Sequence, residues 1–410
     1  MPRPATRFLL TLALLSAGEP TLAQEGAAPR LVLEGLDGRS ERLPLEGLTL
    51  RDPRERGAWT IRTEGFPAPT AQPSTGVRVQ LALRGGEELR GRVLSGQGEV
   101  LTIELLGGVR LPVGIERIRS IVLPEHLSGR ELTPLTAPPE GDRLYRRTPN
   151  ALDAVDGTLD TFTAEGVRFE SREVGLKTFA WIEVAALFIE LLDDQPPATT
   201  GDGARVPLVV DLADQSRVRG RLDELTPEHC RVTVGGVALA LPWEVVAELT
   251  VADGRLVFLS DLEATHEEGR GIPFDDDLGM SWPHKMDRNV HDDPLRSGGR
   301  FWRRGIGMHA PSRLYFDLPG DFDELVGRVA MDDSVLVNRD WARGSVIFRL
   351  HLDGALAWES GLVRGGDSPL DLPRLAVSGK RELMLEVDPA GDFAGDRANW
   401  LRMTLVRSEP

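Results

Sequence analysis

The side chains best suited to chemistry gather in the last third of the chain. The stretch Asp332–Arg343 (DDSVLVNRDWAR) sets Asp332, Asp333, Asn338, Arg339, Asp340, Trp341 and Arg343 within a single short loop. Sugar recognition needs an aromatic face for the apolar side of the ring and Asp, Asn, Arg or His for the hydroxyls, so this mixture suits a carbohydrate. His309, which follows the turn Gly305-Ile306-Gly307, is a further candidate for the same site. A second group, Asp388, Asp392 and Asp396 in DPAGDFAGD, recurs every four residues between glycines. Hard cations take several loop oxygens at flexible spacing, so a structural calcium ion is what this group would hold; a solvated acidic loop is the alternative. Nothing in the sequence requires a cofactor.

Other chemistries find no support. Gly305-Ile306-Gly307-Met308-His309-Ala310 fits the spelling of a dinucleotide-binding turn, but that turn works only where a helix begins at its end. Here Pro311-Ser312 and the alternating Leu314-Tyr315-Phe316-Asp317-Leu318 follow, which read as a strand. His-Glu-x-x-His, Gly-x-Ser-x-Gly and a phosphate loop ending in Gly-Lys-Ser/Thr are absent. Asp275-Asp276-Asp277 and Asp292-Asp293 are rich in carboxylates, yet neighbours on a strand point to opposite faces and make poor acid/base pairs for glycoside hydrolysis. A non-catalytic protein is therefore expected, with a glycoside hydrolase the least favoured reading.

The chain of 410 residues carries 48 Lys and Arg against 64 Asp and Glu, a formal charge of −16. That balance argues against nucleic acid or anionic lipid as partners, since both need clustered cations. The single cysteine, Cys230, allows no intrachain disulfide and no cysteine-built metal centre. Residues 1–23 combine Arg3 and Arg7, the apolar run Phe8–Leu15 and the small-x-small pattern Thr21-Leu22-Ala23, which predicts a signal peptide cleaved near Ala23. The expected product is periplasmic or extracellular. No later run is apolar enough to span a bilayer.

The elements that must position these groups are short. With 44 Gly and 29 Pro the composition favours strands and turns, an all-β chain. Gly65–Gly76, Pro134–Asn150 and Asp193–Ala204 read as linkers. Between them the sequence repeats itself. Leu89-Arg90-Gly91-Arg92-Val93 matches Val218-Arg219-Gly220-Arg221-Leu222, and Leu111-Pro112 lines up with Leu241-Pro242. Each copy shows period-two alternation, as in Val77, Val79, Leu81 and Leu101, Ile103, Leu105. These features predict small β-barrels or rolls, similar in general shape to Sm-like or SH3-like folds, at 77–125 and 205–255. A weaker copy is expected at 151–190, with Val155-Asp156-Gly157-Thr158-Leu159 and Phe179–Val184, and a degenerate leading copy at 29–63. Units this small should pack on one another.

From residue 259 the texture changes to alternating strands with Trp282, Trp302, Trp341, Trp358 and Trp400, which predicts a C-terminal β-sandwich over 259–407. This segment resembles the NPCBM carbohydrate-binding-module family. The resemblance rests on Leu259-Ser260-Asp261-Leu262-Glu263, on Pro294–Ser312 (PLRSGGRFWRRGIGMHAPS), on Tyr315–Gly320, and on Met331-Asp332-Asp333, Gly344-Ser345-Val346, Asp353-Gly354, Asp396 and Trp400. It implies a galactose-binding-like jelly roll of the sort that accompanies glycoside hydrolases and other exported domains. It implies a glycan partner and does not extend to the N-terminal repeats. The expectation is thus an exported protein binding carbohydrate through its sandwich; the alternative is a structural or interaction role among cell-envelope proteins.

Overall fold

The computed structural model describes residues 28–67, 69, 75–127, 135–149, 151–173, 175–190, 205–270, 281–337, 343–391 and 394–408. The expected signal peptide, 1–23, lies outside them, as does the expected linker 193–204. The described chain is all-β, its only helical pieces being 3-10 turns of three or four residues.

Residues 78–122 form five strands, Arg78–Leu83, Glu88–Gln97, Val100–Glu104, Arg110–Gly114 and Ile118–Val122, bonded in the spatial order fifth, first, second, third, fourth. Pro207–Leu212, Arg217–Leu225, His229–Val234, Val237–Pro242 and Val246–Val251 repeat that order. So do Asp142–Arg147, Leu152–Phe162, Gly166–Ser171, Gly175–Ala180 and Val184–Phe188. The middle unit thus begins at 142 rather than 151. Its first strand, Asp-Arg-Leu-Tyr-Arg-Arg, is too charged and too close to Pro and Gly to read as one.

The shared glycine has a steric cause. A Cβ on Gly91, Gly157 or Gly220 would meet a third-strand carbonyl oxygen, that of Glu104 at 2.5 Å, Glu170 at 2.0 Å and Thr233 at 2.7 Å respectively. Two residues beyond each glycine the second strand carries a bulge, after Val93, Leu159 and Leu222. An extra residue there bends the strand and lets a short sheet curl around its own apolar face. The prolines do not correspond. Leu241 faces Cys230 as Val113 faces Leu101, so Pro242 matches Gly114 and not Pro112. The similar Gly-to-Pro spacing hides a longer third turn in the first unit, Leu105–Val109 against Gly235-Gly236.

The leading segment contributes Arg30–Glu34, Ser40–Pro44 and Thr60–Glu64, ordered as the fifth, first and second strands of a full unit. Units then join through their fifth strands. Ile118–Val122 pairs with Val184–Phe188 to give a ten-stranded sheet. Val246–Val251 pairs with Thr60–Glu64 to give an eight-stranded one. One continuous apolar core, including Leu31, Ile61, Leu101, Ile121, Phe169, Leu187, Val232 and Leu249, serves all four pieces.

The sandwich follows after four residues. One of its sheets centres on Gly305–His309, Arg397–Val406 and Glu324–Met331. The other runs His266–Glu268, Ser312–Asp317, Glu382–Pro389, Ser345–Leu352, Ala355–Arg364. Their inward residues interdigitate, with Trp400 edge-on to Phe348 at 5.1 Å. Its contacts with the repeats include ion pairs and arginine hydrogen bonds to backbone carbonyls. Arg402 pairs with Glu248, Arg217 with Asp287, and Arg303 donates to the Ala213 carbonyl. No helix among the described residues is long and apolar enough to cross a membrane.

Candidate functional site

Three adjacent strands deliver the candidate groups to one end of the sandwich. His309, closing its strand, is in register with Arg397, and Met331 with Ala398, so the segment from Asp332 onward leaves beside both. The carboxylate of Asp332 is only 1% exposed. Its Oδ1 accepts from Asn289 Nδ2 at 3.1 Å and Ser334 N at 3.0 Å; its Oδ2 accepts from Asn399 Nδ2 at 2.8 Å and Arg296 N at 3.2 Å. The two oxygens of Asp333 accept from Gly298 N at 3.0 Å and Gly299 N at 2.9 Å. Asp332, expected from sequence as a sugar contact, is thus buried and fully bonded within the fold, while Asp333 remains partly exposed. The pair clips the 3-10 turn Asp333–Leu336 onto the hairpin Arg296–Phe301, and the four donors on Asp332 fill that carboxylate's acceptor sites inside the fold.

His309 is 5% exposed and donates Nδ1–H to the Ala310 carbonyl at 2.8 Å, which leaves Nε2 as the acceptor nitrogen. Burial holds its pKa below the usual histidine value, and the positive charge of Arg397 and a nearby His291 acts in the same direction. Its ring lies nearly parallel to the indole of Trp282, 4.8 Å between centroids and 19° between planes. Trp282 is half-buried, and His291 is exposed. The pKa of His291 is lowered by burial and by Arg397, against the opposing pull of Asp293 and Asp332. Arg397 donates to Ser334 Oγ at 3.2 Å. The described part of the site is thus an indole stacked on one imidazole, with a second imidazole and a guanidinium beside the turn. Such a set can stack a ring and hydrogen-bond hydroxyls.

Sequence reasoning set Trp282 aside as one more sandwich tryptophan. Its signal was its place in Ser281-Trp282-Pro283-His284, a loop composition in which a tryptophan has no strand to pack under. Trp302 and Trp400 are buried and serve the core. Arg339, Asp340 and Trp341 lie outside the described residues; they follow Val337, which is 85% exposed.

The expected calcium loop is divided among other partners. Asp388 is ion-paired with Arg349, and Asp396 is fully buried, accepting from Ser345 N at 2.7 Å. Asp392 lies outside the described residues. Among the described residues no three His, Cys, Asp or Glu side chains group closely enough to hold a metal.

Residues 255–406 match the family model of the NPCBM/NEW2 domain, which the sandwich resembles. Alpha-1,3-galactosidase B of Akkermansia muciniphila is 31% identical over 121 residues, 28% of this chain and 14% of that enzyme. Among solved structures, CBM51 from Clostridium perfringens GH95 in complex with methyl-galactose is 23% identical over 37% of this chain and 99% of its own, with a TM-score of 0.31. The tandem CBM51 modules of the family 98 glycoside hydrolase from Streptococcus pneumoniae are 14% identical over 50% of this chain and 72% of theirs, with a TM-score of 0.31.

Proposed function

We propose that this is an exported, non-catalytic protein that binds carbohydrate at the loop end of its NPCBM domain. Trp282 is the stacking platform, and His291, Arg397 and the Nε2 of His309 serve the hydroxyls. Arg339, Asp340 and Trp341, which follow the clipped turn a few residues on in sequence, are proposed as further sugar ligands. The observation that carries this reading is the Trp282–His309 stack. A half-buried indole held flat by a neutral ring is preorganised, so a sugar meets it without paying to order it. The partial likeness to an alpha-1,3-galactosidase makes galactose-terminated glycans the first ligands to try. The repeats, which carry no such constellation, would present the module at a distance from whatever they are attached to.

A glycan array on the full chain, followed by calorimetric titration with galactose, tests this. Trp282→Ala should abolish binding with little change in melting temperature, and Trp341→Ala should weaken it. An array without a hit, or two variants that bind like the parent, would overturn the assignment.

A further inference from the structure

The outer face of the five-stranded sheet carries a second set of groups, which the loop end does not use. Across its strands the register sets His266 beside Tyr315, Tyr315 beside Met384, Met384 beside His351 and His351 beside Leu356. One row of imidazole, phenol, thioether, imidazole and isobutyl groups thus crosses all five strands. Leu356 is 55% exposed, His266 is exposed, and the three between them are partly so, which leaves the row open along its length. We infer that this row is a second binding site, for an unbranched neutral glycan chain laid across the strands. Neighbouring strands lie about 4.8 Å apart, so the row is about 19 Å long, the reach of an oligosaccharide rather than of a single sugar.

The neighbouring row selects the ligand. Glu268, Arg313, Glu386, Arg349 and Glu359 alternate in sign across the same five strands. Each is answered by its neighbours. Glu386 Oε1 accepts from Arg313 Nε at 2.8 Å, and its Oε2 lies 3.2 Å from His351 Nε2. Arg349 donates Nε–H to Glu359 at 2.7 Å and also pairs with Asp388, while Glu268 stands 3.6 Å from Arg313. With Asp388 the group holds four carboxylates against two guanidinium groups, which turns away an anionic ligand. Every one of those carboxylates already has an arginine, and among the described residues no three His, Cys, Asp or Glu side chains group closely enough to hold a metal. A neutral ligand is what remains. The cores of protein interfaces are depleted of charged residues, so a face crossed by five of them suits a protein partner poorly. A pyranose chain suits it well. Its apolar ring faces would rest on Tyr315, Met384 and Leu356, with the His266 ring, 5.6 Å from that of Tyr315, widening the platform. Its hydroxyls would meet the charged row, whose side chains are held by one another and need no ordering on binding.

That the ligand is a carbohydrate rests on the reading above; its place on the sheet face does not depend on the Trp282 site. The test is calorimetric titration of the full chain with cellohexaose, xylohexaose, their disaccharides and galactose, beside sedimentation velocity. At least one hexasaccharide should bind, and its disaccharide should bind at least tenfold more weakly. Tyr315→Ala should weaken the hexasaccharide at least tenfold and leave galactose untouched. Trp282→Ala should do the reverse, so that the two sites fail independently. Leu356→Asp changes a side chain that is already 55% exposed, so the fold should survive it, and hexasaccharide binding should weaken there too. A fold lost in Tyr315→Ala leaves Leu356→Asp to decide. Neither hexasaccharide binding, or one binding equally to Leu356→Asp, would overturn the sheet-face site. So would a hexasaccharide lost in Trp282→Ala, which would belong to the loop end. Dimerisation of the parent chain that Leu356→Asp abolishes would assign the face to a second copy and overturn it as well. A silent galactose titration beside a binding hexasaccharide would overturn the loop-end reading alone.

Discussion

Asp332→Ala separates a structural clip from a sugar ligand. The substitution removes four acceptor contacts from a carboxylate that is 1% exposed, and leaves the side-chain amides of Asn289 and Asn399 and two backbone N–H groups facing a void. Stripping one partner from a buried charged network typically costs about 3–5 kcal/mol. At about 2–4 °C per kcal/mol for a domain of this size, melting should fall by about 10 °C. Asp332→Asn should recover only part of this, because its new NH2 must point at donors already present. Scanning calorimetry on the full chain reads the loss directly. Galactose titrated well below the melting point should still bind, with affinity reduced by no more than the unfolded fraction demands. A loss of binding with melting unchanged would refute the clip and return Asp332 to the ligand.

Three further outcomes follow from the geometry. Gly157→Ala should destabilise the ten-stranded sheet by about 1–3 kcal/mol, and by more than Gly91→Ala or Gly220→Ala, since its carbonyl neighbour is the nearest at 2.0 Å; urea melts rank the three. The folded pKa of His309 lies below its unfolded value of about 6.5, so the stability it contributes is full above that value and is lost as pH falls below it. Melting curves from pH 7.5 to 5 should show that decline, and His309→Gln should flatten it. Added calcium or a chelator should leave the melting temperature unchanged, because Arg349 and Ser345 N already occupy Asp388 and Asp396; a rise of several degrees with calcium would place an ion there.

What was legible in the sequence was whatever local sterics dictate. The Arg-Gly-Arg match was a sound guide because its glycine answers a close backbone approach present in each of the three five-stranded units. The Leu-Pro match was not, since one longer turn shifted the register and left a coincidence of spacing. The alternating runs of the sandwich were plain for the usual reason, that a half-buried strand must alternate. The fifth-to-fifth pairing of the units left no such trace. It joins Ile118–Val122 to Val184–Phe188 across a long stretch of chain, and an apolar strand carries no mark of which edge it will meet.

The same distinction explains the site. Composition located the right region, but a loop carboxylate takes its direction from partners that are remote in sequence. Asp332 is turned inward by Asn289, Arg296 and Asn399, which lie 43, 36 and 67 residues away, and no local pattern encodes that. Trp282 escaped for the converse reason, since the ring that fixes it belongs to His309 on another element. The docking of the sandwich adds a last consideration. Apolar contact alone would tolerate sliding, whereas Arg402 against Glu248 and Arg217 against Asp287 are directional and costly to break singly. Charges buried at that junction hold the module in one orientation on the repeats.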